Sequence, residues 1–208
     1  MAPLAGVRRH VPVAVLAAHN PFQTFTLTLA HKGQPMTSSP VSVLYESPFG
    51  TLRLDSSGSA VTHVWLPCQQ DSSVPVRGEA PDDILQQAVR ELDAWFAGEL
   101  REFTVPCDPA RGTVFQREIW QELRRIPFGK TISYTELARQ IGRPTAVRAV
   151  GSANARNPLP IIVPCHRVIA ADGSLTGYAG GKTLKQQLLD HEQQQTRSDR
   201  PAALSEAC

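Results

Sequence analysis

The chain has 208 residues, 41% of them hydrophobic and 19% charged, enough for one large domain or two small ones around a real apolar core. That balance excludes a disordered chain, and no apolar run reaches the length of a bilayer-spanning helix, so no membrane partner is expected. The formal charge of +2 names no partner, but it is unevenly spread: residues 111–192 carry 12 Lys/Arg against 6 Asp/Glu, and the remainder 9 against 13. A basic part joined to an acidic one suits a domain that binds a polyanion, although a solvated surface with chance asymmetry gives the same count.

In chain order, residues 1–40 lack sustained periodicity and are expected to form an N-terminal extension. The start RRHVPVAVLAAHN has the basic-then-apolar order of a secretion signal. Its apolar part is short and interrupted by Pro12, and no small-x-small cleavage site follows, so an irregular tail is the preferred reading. From residue 43, alternating stretches such as Thr51–Leu54 and Val61–Trp65 are broken by Ser and Gly, the pattern of strands and hairpins. Pro81 opens a helix with Asp82 and Asp83 in its first turn; Ile84, Leu85, Ala88, Leu92, Trp95 and Phe96 follow at helical spacing, and Gly98 is a stop. These elements define a small α/β domain over 41–105, followed by a Pro/Gly-rich linker at 106–114.

The domain at 115–192 begins with a helical pattern in Phe115, Ile119, Trp120 and Leu123. In TISYTELARQIGRPTAVRAVGSANARNP, Thr135 can cap one helix, Gly142–Pro144 make a turn, and a second helix runs from about Thr145 to Arg156. Helix, short turn, helix is the helix-turn-helix pattern. The second helix is built largely of Ala146, Ala149, Gly151, Ser152, Ala153 and Ala155. Such residues admit close packing inside a domain, and equally a close approach to the narrow minor groove with little base reading. An apolar run at 159–164, expected as a strand, leads to Cys165. A closing helix at 183–192 puts Leu184, Leu188 and Leu189 on one face, and 193–208 is a tail.

Four cysteines, Cys68, Cys107, Cys165 and Cys208, are scattered without a CxxC pair, which speaks against a disulfide framework or structural zinc and for a reducing compartment. An isolated Cys165 is by default a small buried hydrophobe. Adjacent His166 supplies a base, Pro164 and Asn157-Pro158 rigidify the approach, and Glu192 is a carboxylate able to orient an imidazole. Spacing alone leaves both readings open. The loop GYAGGKT at 177–183 lacks the glycine spacing of a phosphate-binding loop and reads as a tight turn, with Tyr178 at the rim of a pocket or merely structural.

Taken together, VPCHRVI, the preceding SYTELA, RAVGSA and NP, and the following GYAGG and LLDHE closely resemble the methylated-DNA–protein-cysteine methyltransferases, also called O6-alkylguanine-DNA alkyltransferases. YESPFGTLRL through AWFAGEL is similar to that family's N-terminal domain. The resemblance implies an α/β N-terminal domain followed by a mainly α-helical, winged helix-turn-helix-like C-terminal domain. It also implies irreversible transfer of an alkyl group from O6-alkylguanine, and from O4-alkylthymine, to Cys165. His166 would take the thiol proton through a water, Cys–His pairing giving a thiolate near neutral pH; Glu192 would orient His166, and Asn157 would organise the backbone around the site. Tyr134 would crowd the phosphate of a flipped nucleotide and Arg148 would replace the base in the stack, with Ser133, Thr135, Ala149, Ser152 and Asn154 also facing DNA. Val168, Tyr178, Pro160 and Ala179 would line the pocket.

The implied partner is double-stranded DNA bound through its minor groove by a monomer. The implied compartment is the cytoplasm with its nucleoid, or the nucleus in a eukaryote. Some relatives hold zinc in the N-terminal domain; here Cys68, Cys107 and His63 form no ligand set, and neither metal nor cofactor is expected. Three other readings remain at this level: a binder of alkylated DNA without an acceptor, which the presence of Cys165 opposes; a regulator with a structural cysteine, which the small-residue helix opposes; and a cysteine hydrolase, which needs no helix-turn-helix.

Overall fold

The computed structural model describes residues 15–16, 41–69, 81–108 and 112–198; the remainder of the expected N-terminal extension, the middle of the linker and the end of the C-terminal tail, with Cys208, lie outside them. Three strands, β2 (Val41–Ser47), β3 (Gly50–Ser56) and β4 (Val61–Trp65), form an antiparallel meander, and β1 (Val15–Leu16) pairs parallel with Leu44 and Tyr45 of β2. The β2–β3 hairpin turns on Pro48-Phe49, and Gly50 leaves it at φ 110°, where a Cβ would also press 3.0 Å from the Pro67 ring. Alternate residues Val43, Leu52, Leu54 and Val64 are buried, which gives one covered face.

That face is covered by α1 (Asp83–Ala97), which buries Leu85, Ala88, Val89, Leu92 and Trp95. Asp82 proves to be the cap rather than a first-turn residue, accepting a 2.8 Å hydrogen bond from the Leu85 N–H, and Gly98 ends the helix in the left-handed conformation at φ 81°. Residues 105–108 depart from the linker expected over 106–114. They lie along β4, with the Val61 N–H donating to the Pro106 carbonyl at 2.8 Å and the Asp108 N–H to the Val61 carbonyl at 3.0 Å.

The second domain starts with α2 (Val114–Leu123), opened by a capping box between Thr113 and Gln116. A helix-turn-helix follows: α3 (Tyr134–Gln140) and α4 (Val147–Ala155). The cap of α3 is Ser133, whose hydroxyl accepts from the Glu136 N–H at 3.0 Å; Thr135 lies inside the first turn and does not cap. Immediately before α3, β5 (Ile132–Ser133) pairs parallel with β6 (Val168–Ile169), tying the entry of the helix-turn-helix to the segment just after Cys165. The closing helix α5 (Gly181–Ser198) buries Leu184, Leu188 and Leu189 and runs six residues past the expected boundary at 192, so the first part of the tail is helical. Trp120 joins α2 to α4 through a 2.9 Å bond from its indole N–H to the Ala153 carbonyl. No described helix is long and apolar enough to cross a membrane.

Candidate active site

The run 159–164 is not a strand. Pro158, Pro160 and Pro164 offer no N–H to a ladder, and the chain instead folds into a tight turn with the Val163 N–H on the Leu159 carbonyl at 2.8 Å. Ile161 is held at φ 75°, a strained position for a β-branched residue. The turn is pinned from the other domain, where the Val64 N–H of β4 donates to the Pro158 carbonyl at 2.8 Å. Cys165–Arg167 then form one turn of 3-10 helix leading into β6.

Cys165 is only 4% exposed, and its partner is Asn157 rather than the neighbouring histidine. Asn157 Nδ2 donates to the sulfur at 3.0 Å and to the Val163 carbonyl at 2.7 Å, while its Oδ1 accepts from the Leu159 N–H at 3.0 Å. One side chain thus fixes both the shape of the turn and the position of the thiol. Burial pushes the thiol up to about 11; the Asn157 hydrogen bond and the charge of Lys185 offset only part of that. Burial thus favours the neutral thiol, the opposite sense to the thiolate that pairing with His166 was expected to give.

A charged cluster of His166, Arg167 and Glu192 is buried behind the turn. His166 is fully buried, with Nε2 2.9 Å from Glu192 Oε1. Burial raises the carboxyl pKa of Glu192, but hydrogen bonds and charge from His166 and Arg167 overturn this and hold it at about 2. The carboxylate can only accept, so Nε2 carries the hydrogen and Nδ1 keeps its lone pair. Burial lowers the imidazole pKa, with Glu192 opposing, and Nδ1 meets no hydrogen-bond partner among the described residues. From α1 of the first domain, the Trp95 ring lies nearly perpendicular to the imidazole, at 79° and a centroid distance of 6.4 Å.

Two buried cations at this centre escaped the sequence reading. Arg167 grips Glu192 from Nε at 3.0 Å and Nη2 at 2.8 Å, and its Nη1 donates to the Ile126 carbonyl at 2.6 Å. Gly129 completes the set of donors: its N–H reaches Glu192 Oε2 at 2.8 Å, at a position where a Cβ would stand 2.4 Å from Thr196 Oγ1. Lys185 is fully buried in α5, and its ammonium donates to the carbonyls of Val168 at 2.5 Å and Thr176 at 2.9 Å. Burial brings its pKa down to about 8, the proximity of Cys165 acting in the opposite sense.

Of the residues expected to face DNA, Arg148, Ala149 and Ser152 share the exposed side of α4, and Tyr134, Ser133 and Thr135 are half-buried at the start of α3. Tyr134 donates its hydroxyl to the Thr176 carbonyl at 3.1 Å, the same carbonyl that Lys185 holds. Asn154 is a correction. It is 1% exposed, on the inner side of α4 with Val150 and Ala153, and its Nδ2 donates to the Cys165 carbonyl at 3.3 Å, so it supports the acceptor turn and faces no outside surface.

Among the expected pocket residues, Val168 and Pro160 are buried and Ala179 is exposed. The Tyr178 hydroxyl is buried without a hydrogen-bond partner among the described residues, and burial pushes its phenol up, so it stays an O–H donor. Cys68 of the first domain meets the Ala179 carbonyl at 3.5 Å, which places that domain against the pocket loop.

Comparison with known proteins agrees with this architecture. Residues 41–109 match the family model for the 6-O-methylguanine DNA methyltransferase ribonuclease-like domain, and residues 114–194 match that for its DNA-binding domain. A Mycobacterium leprae protein named methylated-DNA–protein-cysteine methyltransferase is 48% identical over 150 residues, which cover 72% of this chain and 90% of that one. The crystal structure of Mycobacterium tuberculosis O6-methylguanine methyltransferase aligns at TM-score 0.68 with 45% identity, covering 76% of this chain and 94% of its own. Mycobacterium tuberculosis OGT in complex with DNA aligns at TM-score 0.66 with 45% identity over 74% of this chain and 93% of its own. The chain belongs to the methylated-DNA–protein-cysteine methyltransferase family.

Proposed function

We propose that the protein repairs DNA by moving the alkyl group of O6-alkylguanine, and of O4-alkylthymine, onto its own Cys165, once per molecule. The observation that carries this reading is the pairing of a buried thiol, fixed by Asn157 at 3.0 Å, with a buried imidazole whose one nitrogen is committed to Glu192 and whose other is not. In this reading α4 enters the minor groove of double-stranded DNA. Its small exposed residues let the backbone come close, and Arg148 fills the gap left by the extruded base. Tyr134 crowds the phosphate of that nucleotide. The protein acts as a monomer in a reducing, DNA-containing compartment.

His166 Nδ1 takes the Cys165 proton through one water, and the imidazolium so formed is stabilised by the Glu192 carboxylate. The sulfur attacks the alkyl carbon, the S–C bond forms as the C–O6 bond breaks, and the electron pair remains with guanine, which is released in its ordinary form after taking up a proton. Tyr178, along with Val168, Pro160 and Ala179, lines the pocket that receives the base. The product is a thioether, a poor leaving group, so nothing regenerates the thiol and no cofactor is consumed.

The test is to incubate the protein with a duplex containing O6-methylguanine and to map its peptides by mass. One added CH2 on the Cys165 peptide, saturating at one equivalent per protein, is the expected result. Intact duplex binding without that adduct would refute the transfer, and continued turnover would mark a hydrolase instead. Cys165→Ala should abolish transfer while duplex affinity is retained.

A further inference from the structure

We propose that Asn154 is a specificity-determining residue: its Oδ1 accepts a hydrogen bond from the 2-amino group of a flipped guanine, which favours O6-alkylguanine over lesion bases without that amine. The inference rests on the alkyl-transfer reading above and adds to it a contact made by the base. Asn154 lies on the inner side of α4 and is 1% exposed. The Cys165 carbonyl can only accept, so the Nδ2 end of the carboxamide faces it at 3.3 Å and Oδ1 is the end turned away. That oxygen meets no hydrogen-bond partner among the described residues. A buried acceptor left unpaired is costly, which gives an arriving donor something to satisfy.

The surroundings say which donor. The carboxamide bonds to the backbone of Cys165 itself and also neighbours the Tyr134 phenol, which burial raises and hydrogen bonds to Thr176 and Asn154 pull the other way. Two further atoms at this centre, His166 Nδ1 and the Tyr178 hydroxyl, are buried without a hydrogen-bond partner among the described residues. Neither selects a base: the imidazole nitrogen is assigned the thiol proton, and a hydroxyl can donate or accept. Oδ1 differs because it only accepts.

Alkylation at O6 leaves N1 of guanine without a hydrogen, and the 2-amino group is then the base's one N–H donor. O4-alkylthymine has lost its N3 hydrogen and presents O2, a second acceptor, which cannot satisfy Oδ1. The amine projects from the same six-membered ring as O6. A base whose alkyl carbon reaches the sulfur therefore brings its amine close to the Cys165 backbone, where Asn154 stands.

The experiment times transfer to Cys165 in the parent and in Asn154→Leu. The substrates are single-stranded oligonucleotides carrying O6-methylguanine, O6-methylhypoxanthine (the same base without the amine) or O4-methylthymine. Single strands keep the amine's own base pairing out of the comparison. Loss of the Nδ2 bond to the Cys165 carbonyl slows Asn154→Leu on all three, so the readout is the ratio of rates and not the rate. The parent should transfer from O6-methylguanine at least about fivefold faster than from O6-methylhypoxanthine. In Asn154→Leu that ratio should fall to within about twofold of unity, while the ratio of O4-methylthymine to O6-methylhypoxanthine stays as in the parent. Asn154→Ser, too short to reach the amine, should lose the preference as well and serves if Asn154→Leu fails to fold. A parent indifferent to the amine, or a preference that survives removal of the carboxamide, would overturn the assignment and leave Asn154 a support of the turn alone. Absence of transfer from every lesion in the parent would instead bring down the alkyl-transfer reading, and this inference with it.

Discussion

The turn around Cys165 and the helix that faces outward beside it, α4, are neighbours in sequence and opposites in construction. In the turn nearly every polar group is buried and spoken for: Asn157 holds sulfur and backbone, Glu192 accepts from His166, Arg167 and Gly129, and Lys185 closes two carbonyls. On α4 the outer residues Arg148, Ala149, Ser152 and Ala155 are exposed and mostly small. Chemistry on a particular atom requires a fixed geometry, which buried hydrogen bonds supply at the cost of desolvation. Contact with a long polymer requires only a shape that can come close. Substitutions should therefore damage stability in the turn and damage only DNA-dependent behaviour on α4.

The largest effect on stability is expected at Glu192. Glu192→Gln removes the charge that faces two buried cationic or protonatable groups and leaves Arg167 without its partner, a loss of roughly 3–5 kcal/mol for a broken buried pair. The same group predicts an acid limb. Its folded-state pKa of about 2 lies below the ordinary carboxylate value of 4.5, so its contribution is fully present above pH 4.5 and disappears as pH falls toward 2. Denaturant unfolding of the parent between pH 6 and 2.5 should show that loss, on the order of 3 kcal/mol in total, and Glu192→Gln should flatten the curve. An unchanged acid limb in the variant would place the titrating group elsewhere.

Asn157→Ala should come next. It strands the Leu159 N–H and the Val163 carbonyl in a buried turn, costing about 1–3 kcal/mol. It also removes the donor that favours the ionised sulfur, so the thiol rises further above its resting value of about 11. The pH dependence of Cys165 alkylation by iodoacetamide should shift to higher pH in the variant. A shift to lower pH would mean that Asn157 bonds to the neutral thiol instead.

How much of this was legible in the sequence follows the same division. Cys165, His166, Asn157 and Glu192 carry motifs, and the structure brings all four together. The strand expected at 159–164 failed although its prolines were in view: Pro160 and Pro164, with Pro158 just before them, offer no N–H to a ladder, and apolarity alone misled. Asn154 looked like an outward polar residue, yet its spacing from Val150 puts it on the buried side of α4, one helical turn on. Lys185 and Glu192 likewise fall in the stripe of Leu184, Leu188 and Leu189 on α5, so periodicity alone could have hidden them both in the core. Arg167 had no such signal. What makes it structural is the Ile126 carbonyl and the Glu192 carboxylate, both supplied by segments remote in sequence, and no local pattern records them.

The smallest effect on stability, and the sharpest test of the contrast, is expected at Arg148. It is exposed on α4, and surface substitutions of this kind usually stay within about 0.5 kcal/mol. Arg148→Ala should therefore unfold at the parent's denaturant midpoint and react with free O6-alkylguanine base at the parent's rate. Repair of the same lesson in a duplex should nevertheless slow markedly, because an extruded base leaves a gap that alanine cannot fill and unstacking costs a few kcal/mol. The deficit should shrink when the lesion lies in single-stranded DNA or opposite a mismatch, where less stacking has to be replaced. Equal slowing on free base and duplex would instead tie Arg148 to the thiol centre, and the division between a rigid turn and a permissive helix would fail at that residue.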